Sequence, residues 1–247
     1  MLLQYFELFI KNGFYIHFIT AWLYYITHNP YISWMVSIKL YSTNYFYWYG
    51  HLYSYLPNPK YNWIKQCIRF TDTGHIASIL PHFYKPALPL CHNVHFVITA
   101  GYWIGKLGFG MPDSDRLENS ESNSIIEWHV DLCTYIHHIV PYVLVYSLWK
   151  NELEMDNKKM VCNEQYQYNT LIYTYDWLYV WFFMIYLPWT LYTKDCVYSV
   201  LDPNKTHTKH IVFFIILVHF LIYVGNKFAF MDCIFYQAEP QHSMYEL

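Results

Sequence analysis

Charged side chains are scarce in this chain. Aspartate, glutamate, lysine and arginine make up 13% of its 247 residues, about half the share usual in a soluble domain. The deficit points to a protein that lives in lipid. A net charge of −3 and the lack of any long basic tract leave nothing to hold a polyanion, so nucleic acid is not expected as a partner. Six cysteines (Cys67, Cys91, Cys133, Cys162, Cys196 and Cys233) include no C-x-x-C pair. The chain is too long and too apolar for a disulfide-framework mini-protein, and most of these cysteines lie in or beside apolar segments. Buried thiols are therefore the expected state. The signatures of soluble enzymes are missing too: no G-x-S-x-G elbow, no G-x-x-x-x-G-K-[ST] loop and no dinucleotide fingerprint. The opening M-L-L-Q-Y-F-E-L-F-I-K has neither a basic start nor a small-residue cleavage site, so a removable signal peptide is not expected. The first membrane helix is read as the address instead. No internal repeat or low-complexity linker divides the chain, which is read as one domain over residues 1–247.

Aromatic and apolar residues fill the gap, at 22% and 55% of the sequence. A mean hydropathy of only +0.08 reflects 28 tyrosines, a residue enriched where membrane meets water. In chain order, residues 1–12 read as an amphipathic lead-in. Residues 14–40 read as an apolar stretch bent or ended at Asn29-Pro30. A tyrosine-rich segment (45–55) and a two-proline loop (56–60) follow. Residues 69–81 form a short second span that is polar at its start, and 87–106 a better one holding His92, Asn93 and His95. Polar loops are expected near 112–124, 150–168 and 195–209. Between them lie spans at 125–149, at 171–191 with Asp176 inside and Pro188 near its end, and at 211–231, the most apolar of all. A crossing needs about 20 largely apolar residues. The expected fold is an all-α, polytopic integral membrane bundle of about six transmembrane helices, in the endoplasmic reticulum or the plasma membrane. Lysine and arginine are spread evenly over alternate loops, so their distribution gives no orientation.

Chemistry concentrates at residues 128–149, W-H-V-D-L-C-T-Y-I-H-H-I-V-P-Y-V-L-V-Y-S-L-W. Asp131, His137 and His138 would stand at membrane depth, where an ionisable group costs roughly 2.5–3.5 kcal/mol on insertion scales and is taken as functional. A blander role exists for both histidines. They precede Pro141 by four and three residues, where a proline leaves carbonyls short of donors. Asp131 is about 9–10 Å away along the axis, too far to bond either imidazole, so it reads as a network member. Thr71 and Thr73 open the second span beside Asp72, Gly74 and His75. A hydroxyl there can cap the helix or act as a nucleophile. The pairs His92/His95 and His137/His138 suggest metal, but short histidine spacings arise easily and no H-x-x-H-H box is present. No metal or cofactor is expected.

The order of motifs adds a resemblance. F-T-D-T-G at 70–74, A-L-P-L at 87–90, G-Y-W at 101–103 and D-L-x-x-x-x-H-H-x-x-P at 131–141 resemble the androgen-induced gene 1 family, which includes the androgen-dependent TFPI-regulating protein. The stretch 181–202, W-x-x-x-x-Y-L-P-W-T-L-Y-x-x-x-C-V-Y-S-V-L-D, is similar to the family's fifth helix and its ending. The likeness spans roughly residues 62–230 and rests on order and spacing. It implies a six-helix membrane hydrolase of fatty acid esters of hydroxy fatty acids, with a threonine nucleophile and a histidine partner. By motif the threonine falls on Thr71, with Thr73 one misalignment away. The histidine falls on His138, with His137 kept in play by members with a longer spacing to proline. The chain departs from the family at Asp72 and Thr73, where apolar residues are usual, and at Tyr198-Ser199, where Tyr-Pro is common.

The residue types suit that chemistry by themselves. A threonine hydroxyl is a weak nucleophile that needs a neighbouring base, and imidazole, with an unperturbed pKa near ~6.5, can be one. An oxyanion donor is also needed, and backbone N–H near Gly74 or the Tyr102 hydroxyl are candidates. Asp72, Thr73, Tyr102, Trp103 and Asp131 are the expected supporting or substrate-binding residues. The expected partners are the membrane and a lipid with an acyl chain. Two other readings stand beside this one. The first is a non-catalytic scaffold or lipid-binding protein. The second is a ceramide-synthase-like acyltransferase, which the lack of further acidic and histidine motifs after His138 disfavours.

Overall fold

The computed structural model describes Trp22, Tyr25 and residues 68–78, 80–108, 124–154, 161–194, 196, 198, 201–204 and 207–238. The expected lead-in, the bent stretch at 14–40 apart from those two residues, and the loops at 56–60 and 112–123 lie outside them. All regular structure among the described residues is helical, with no strand. Helix α1 is Phe70–Ala77 and α2 is the short Leu80–Phe83. After a 3-10 turn at Lys85–Ala87, α3 runs Leu88–Trp103 and ends in a π turn at Ile104–Gly108. Next come α4, Ser124–Glu154, and α5, Glu164–Val180. A π turn at Trp181–Tyr186 joins α5 without a break to α6, Leu187–Thr193. The chain then forms α7, Thr208–Ala229, and α8, Met231–Ala238.

Local chemistry explains these boundaries. Pro86 and Pro89 sit in first turns, where the missing N–H had no helical acceptor to lose. Asn163 caps α5: its side chain accepts from the N–H of Gln165 at 2.8 Å and of Tyr166 at 3.4 Å, which stabilises a helix start by about 1 kcal/mol. Pro188 leaves a carbonyl in the preceding turn without a donor, and the π turn directly before it widens the helix to absorb the gap. Helix α6 stops where Lys194 turns left-handed at φ 58°, a common way to end a helix.

Helix α3 is the hub, packed on α1, α4, α5 and α7. It runs antiparallel to α1, α4 and α7. Ser78 meets His95, Tyr142 meets Phe96, Tyr146 meets His92, and Gly225 lies against Phe96. The bundle thus has two ends. One gathers Leu88, Trp149, Cys162, Ala229, Phe230 and Cys233. The other holds the start of α1, the π turn closing α3 and the 194–207 connection, where Tyr198 Oη accepts the N–H of Phe70 at 2.9 Å.

Two expectations need correction at the first end. Helix α4 continues to Glu154 and α5 begins at Glu164, so much of the loop expected at 150–168 is helix. Its polar residues emerge where they find partners. Lys150 pairs with Asp232, and Glu152 lies 3.9 Å from Lys85. One turn earlier, Trp149 Nε1 donates to the carbonyl of Ala229 at 2.7 Å. In addition, Cys162 and Cys233 form a disulfide, not the buried thiols expected. They are separated by 71 positions, and no spacing pattern could have paired them. Cys91 is a buried free thiol and Cys196 a half-buried thiol, while Cys67 and the Cys133 side chain lie outside the described residues.

Among the described residues one helix, α7, is by itself long and apolar enough to cross a membrane. Its 22 residues extend about 33 Å at ~1.5 Å each, against a hydrocarbon core of about 30 Å. Helix α4 and the α5–α6 rod are longer but more polar. Several polar side chains share the interior with an apolar core, and several large apolar side chains are exposed. Asn93, His92, His95, Thr174, Ser78 and Asn226 are buried, while Phe183, Met184, Leu191, Ile216 and Phe220 are more than half exposed.

Candidate active site

Thr71 lies in the first turn of α1, and its hydroxyl reaches toward α4. There Thr71 Oγ1 stands 3.4 Å from His138 Nε2. With the ring proton on Nδ1, Nε2 accepts the threonine O–H. The close approach of α1 to α3 depends on Gly74. A Cβ at that position would overlap Ile98 Cδ1 and stand 3.1 Å from His95 Cε1.

His138 is held from three directions. Pro141 lies inside α4 and breaks the ladder of backbone bonds one turn back. Thr99 Oγ1 on α3 donates to the carbonyl of His138, in the turn that the proline disrupts. The Tyr102 ring stacks on the imidazole with centroids 3.8 Å apart and planes 10° from parallel. The Tyr102 hydroxyl accepts from Lys106 Nζ at 3.3 Å, and the same ammonium donates to Tyr135 Oη at 3.1 Å. Trp103 stacks on Tyr135, centroids 5.6 Å apart.

The other expected residues divide clearly. Thr73 donates its O–H to the carbonyl of Phe70 at 2.7 Å and accepts from Trp177 Nε1 at 3.2 Å, so its hydroxyl proton is committed to the backbone. Tyr102 braces the histidine. Trp103 packs one ring away, edge-on against Tyr102 with centroids 5.3 Å apart. For Asp72, Asp131 and His137 only the backbone is described, within α1 and α4.

No protein-family model matches the chain, and no characterised protein or solved structure does either. The resemblance to the androgen-induced gene 1 family therefore rests on the order of its motifs alone.

Two further polar clusters occupy the interior. Ser78 Oγ lies 2.7 Å from His95 Nε2 and 2.9 Å from the Gly74 carbonyl; both side chains are 2% exposed. On the opposite face of α3, Asn93 Nδ2 donates to Asn226 Oδ1 at 2.8 Å and to Thr174 Oγ1 at 3.3 Å. Asn226 Nδ2 in turn donates to the Gln167 carbonyl at 3.2 Å. This amide network joins α3, α5 and α7, which fits a structural role. His92 is walled in by Phe96, Tyr142, Tyr146 and Phe228. Among the described residues no three histidine, cysteine or acidic side chains are grouped to hold a metal ion. Sequence reading missed Thr99 and Ser78. Thr99 follows His95 by one helical turn on the same face, but nothing in its neighbours marks it.

Proposed function

We propose that this protein is an integral membrane lipid-ester hydrolase of the androgen-induced gene 1 type, built as a helical bundle of about six spans. The observation that carries the reading is the juxtaposition of Thr71 and His138 across two helices, 67 positions apart in sequence. Motif order selects this same pair. Support for the membrane setting comes from α7, long and apolar enough to cross a bilayer, and from the large apolar side chains left exposed beside a bonded polar interior. Polar groups bonded to one another inside and bare apolar faces outside are what a bundle needs in a solvent that cannot hydrogen-bond.

The chemistry follows from the residues. The Thr71 hydroxyl attacks the ester carbonyl while His138 Nε2 takes its proton. The tetrahedral intermediate collapses, the acyl–oxygen bond to the leaving alcohol breaks, and the imidazolium returns the proton to that oxygen. Water, deprotonated by the same nitrogen, then attacks the acyl-threonine, the acyl–Oγ1 bond breaks to free the acid, and the imidazolium returns the proton to Thr71 Oγ1. Thr71 is 9% exposed, which keeps the attacking hydroxyl largely out of bulk water. The Tyr102 stack and the Thr99 bond keep the imidazole in register, which matters because small misplacements of a base reduce rate steeply. The substrate class is an ester between a fatty acid and a hydroxy fatty acid. The test is release of free acid from such an ester by purified protein in vesicles. The wild type should release acid, while Thr71→Ala and His138→Ala should each lose the activity though equally folded.

A further inference from the structure

We infer that the disulfide end of the bundle faces an oxidising compartment, and that the 194–207 connection at the opposite end therefore faces the cytosol. The inference rests on the membrane reading above. Protein disulfides persist in the lumen of the secretory pathway or outside the cell and are rare in the cytosol. The Cys162–Cys233 bond joins the segment just before α5 to α8, and both belong to one end of the bundle together with Trp149 and Ala229. The ends are linked by rods that cannot reverse. Helices α5 and α6 run unbroken from Glu164, beside the disulfide, to Thr193 at the far end. Helix α7 then returns to Ala229 beside the disulfide. The connection between them thus lies on the far side of the bundle.

The reactive pair lies between the two ends, with His138 14 residues from Ser124 and 16 from Glu154 on α4. Phe70, next to Thr71, bonds Tyr198 in that connection. His138 lies one turn beyond Tyr135, whose hydroxyl is held by Lys106 in the π turn closing α3. From His138 to Trp149, at the disulfide end, the helix rises about 16 Å at ~1.5 Å per residue. The same geometry fixes the fate of the sequon Asn204-Lys205-Thr206. It lies in the far connection, away from the glycosylating compartment, and carries no sugar.

The test uses the full chain expressed in eukaryotic cells. Asn204→Gln should leave mobility unchanged with or without glycosidase treatment. A flexible sequon-bearing loop inserted between Glu154 and Val161 should acquire one glycan. Because the insertion could disturb folding, the unmodified chain is also denatured and treated with a polyethylene-glycol maleimide. Cys162 and Cys233 should react only after reduction. Sugar on Asn204, or reaction of both cysteines without reduction, overturns the inference. Resistance to alkaline carbonate separates the two failures. A chain that stays in the membrane with sugar on Asn204 has the opposite sidedness, whereas release by carbonate removes the membrane reading itself.

Discussion

The Thr99 hydroxyl on α3 donates to the backbone carbonyl of His138 on α4, spanning 39 positions of sequence. The turn it braces is the one that Pro141 deprives of a regular ladder. Thr99→Val keeps the shape but removes the bond from α3 to this carbonyl, a loss of about 0.5–1.5 kcal/mol. Hydrolysis by Thr99→Val should fall severalfold, up to roughly tenfold, with kcat affected more than KM, and Thr99→Ser should restore most of it. Equal activity in Thr99→Val and wild type would remove Thr99 from the account.

Gly74 sets the distance between the helices that carry Thr71 and His95. In Gly74→Ala the new methyl meets Ile98 Cδ1, a flexible tip, and the His95 ring, which Ser78 pins at 2.7 Å. Since the ring cannot yield freely, α1 must move and carry Thr71 with it. Overpacking of this kind costs about 1–3 kcal/mol. The variant should keep its helical content by circular dichroism, melt at a lower temperature and lose most ester cleavage. Gly225→Ala, which meets Phe96 Cδ1 at 2.7 Å far from the pair, should lower stability with less effect per folded molecule on rate.

Much of this architecture was legible in the chain. Long apolar runs gave α3 and α7 nearly to their ends, and a helical class without strands followed from them. Pro89 and Pro188 fall within the expected spans at 87–106 and 171–191; in the structure Pro89 sits in the first turn of α3, and Pro188 sits in a continuous rod because a π turn precedes it. Helix ends rich in polar residues, as at 150–154, resemble loops until tertiary partners such as Asp232 are known. The candidate pair was visible only through motif order, since nothing local to Thr71 points to His138. Thr99, Ser78 and the Cys162–Cys233 bond are contacts between distant segments, and such contacts leave no periodic trace. Asp131 and His137 drew notice because ionisable groups in lipid are costly, but their side chains lie outside the described residues.

The amide network tests whether the interior is held by polar contacts. Asn93→Leu strands the Asn226 carbonyl oxygen, which otherwise accepts at 2.8 Å, at an expected cost of about 1–3 kcal/mol, nearer the lower figure in lipid. The double variant Asn93→Leu, Asn226→Leu should recover part of that loss, because partners in contact are not additive. Thermal unfolding in detergent measures both. Strictly additive losses would show that the two amides do not communicate.

At the disulfide end, the hydrogen bond from Lys150 to Asp232 raises the lysine above its ordinary pKa of 10.5. A raised folded-state value means that the pair stabilises the fold fully below that ordinary value and stops doing so as pH climbs through the raised one. The pair is partly solvated, so its worth is at most about 1 kcal/mol. Asp232→Asn should melt slightly below wild type near neutral pH, and the gap should close in strong alkali. A gap that widens with pH would give the pair the wrong sign.

The central claim is that Thr71 is a nucleophile activated by His138, and covalent labelling tests it most directly. Wild-type protein treated with a fluorophosphonate probe should carry one adduct, which peptide mass spectrometry places on Thr71. Thr71→Ala and His138→Ala should each be unlabelled, while Thr73→Ala labels as wild type does. An adduct on Thr73 or elsewhere, or no adduct on active, folded wild-type protein, would contradict the account.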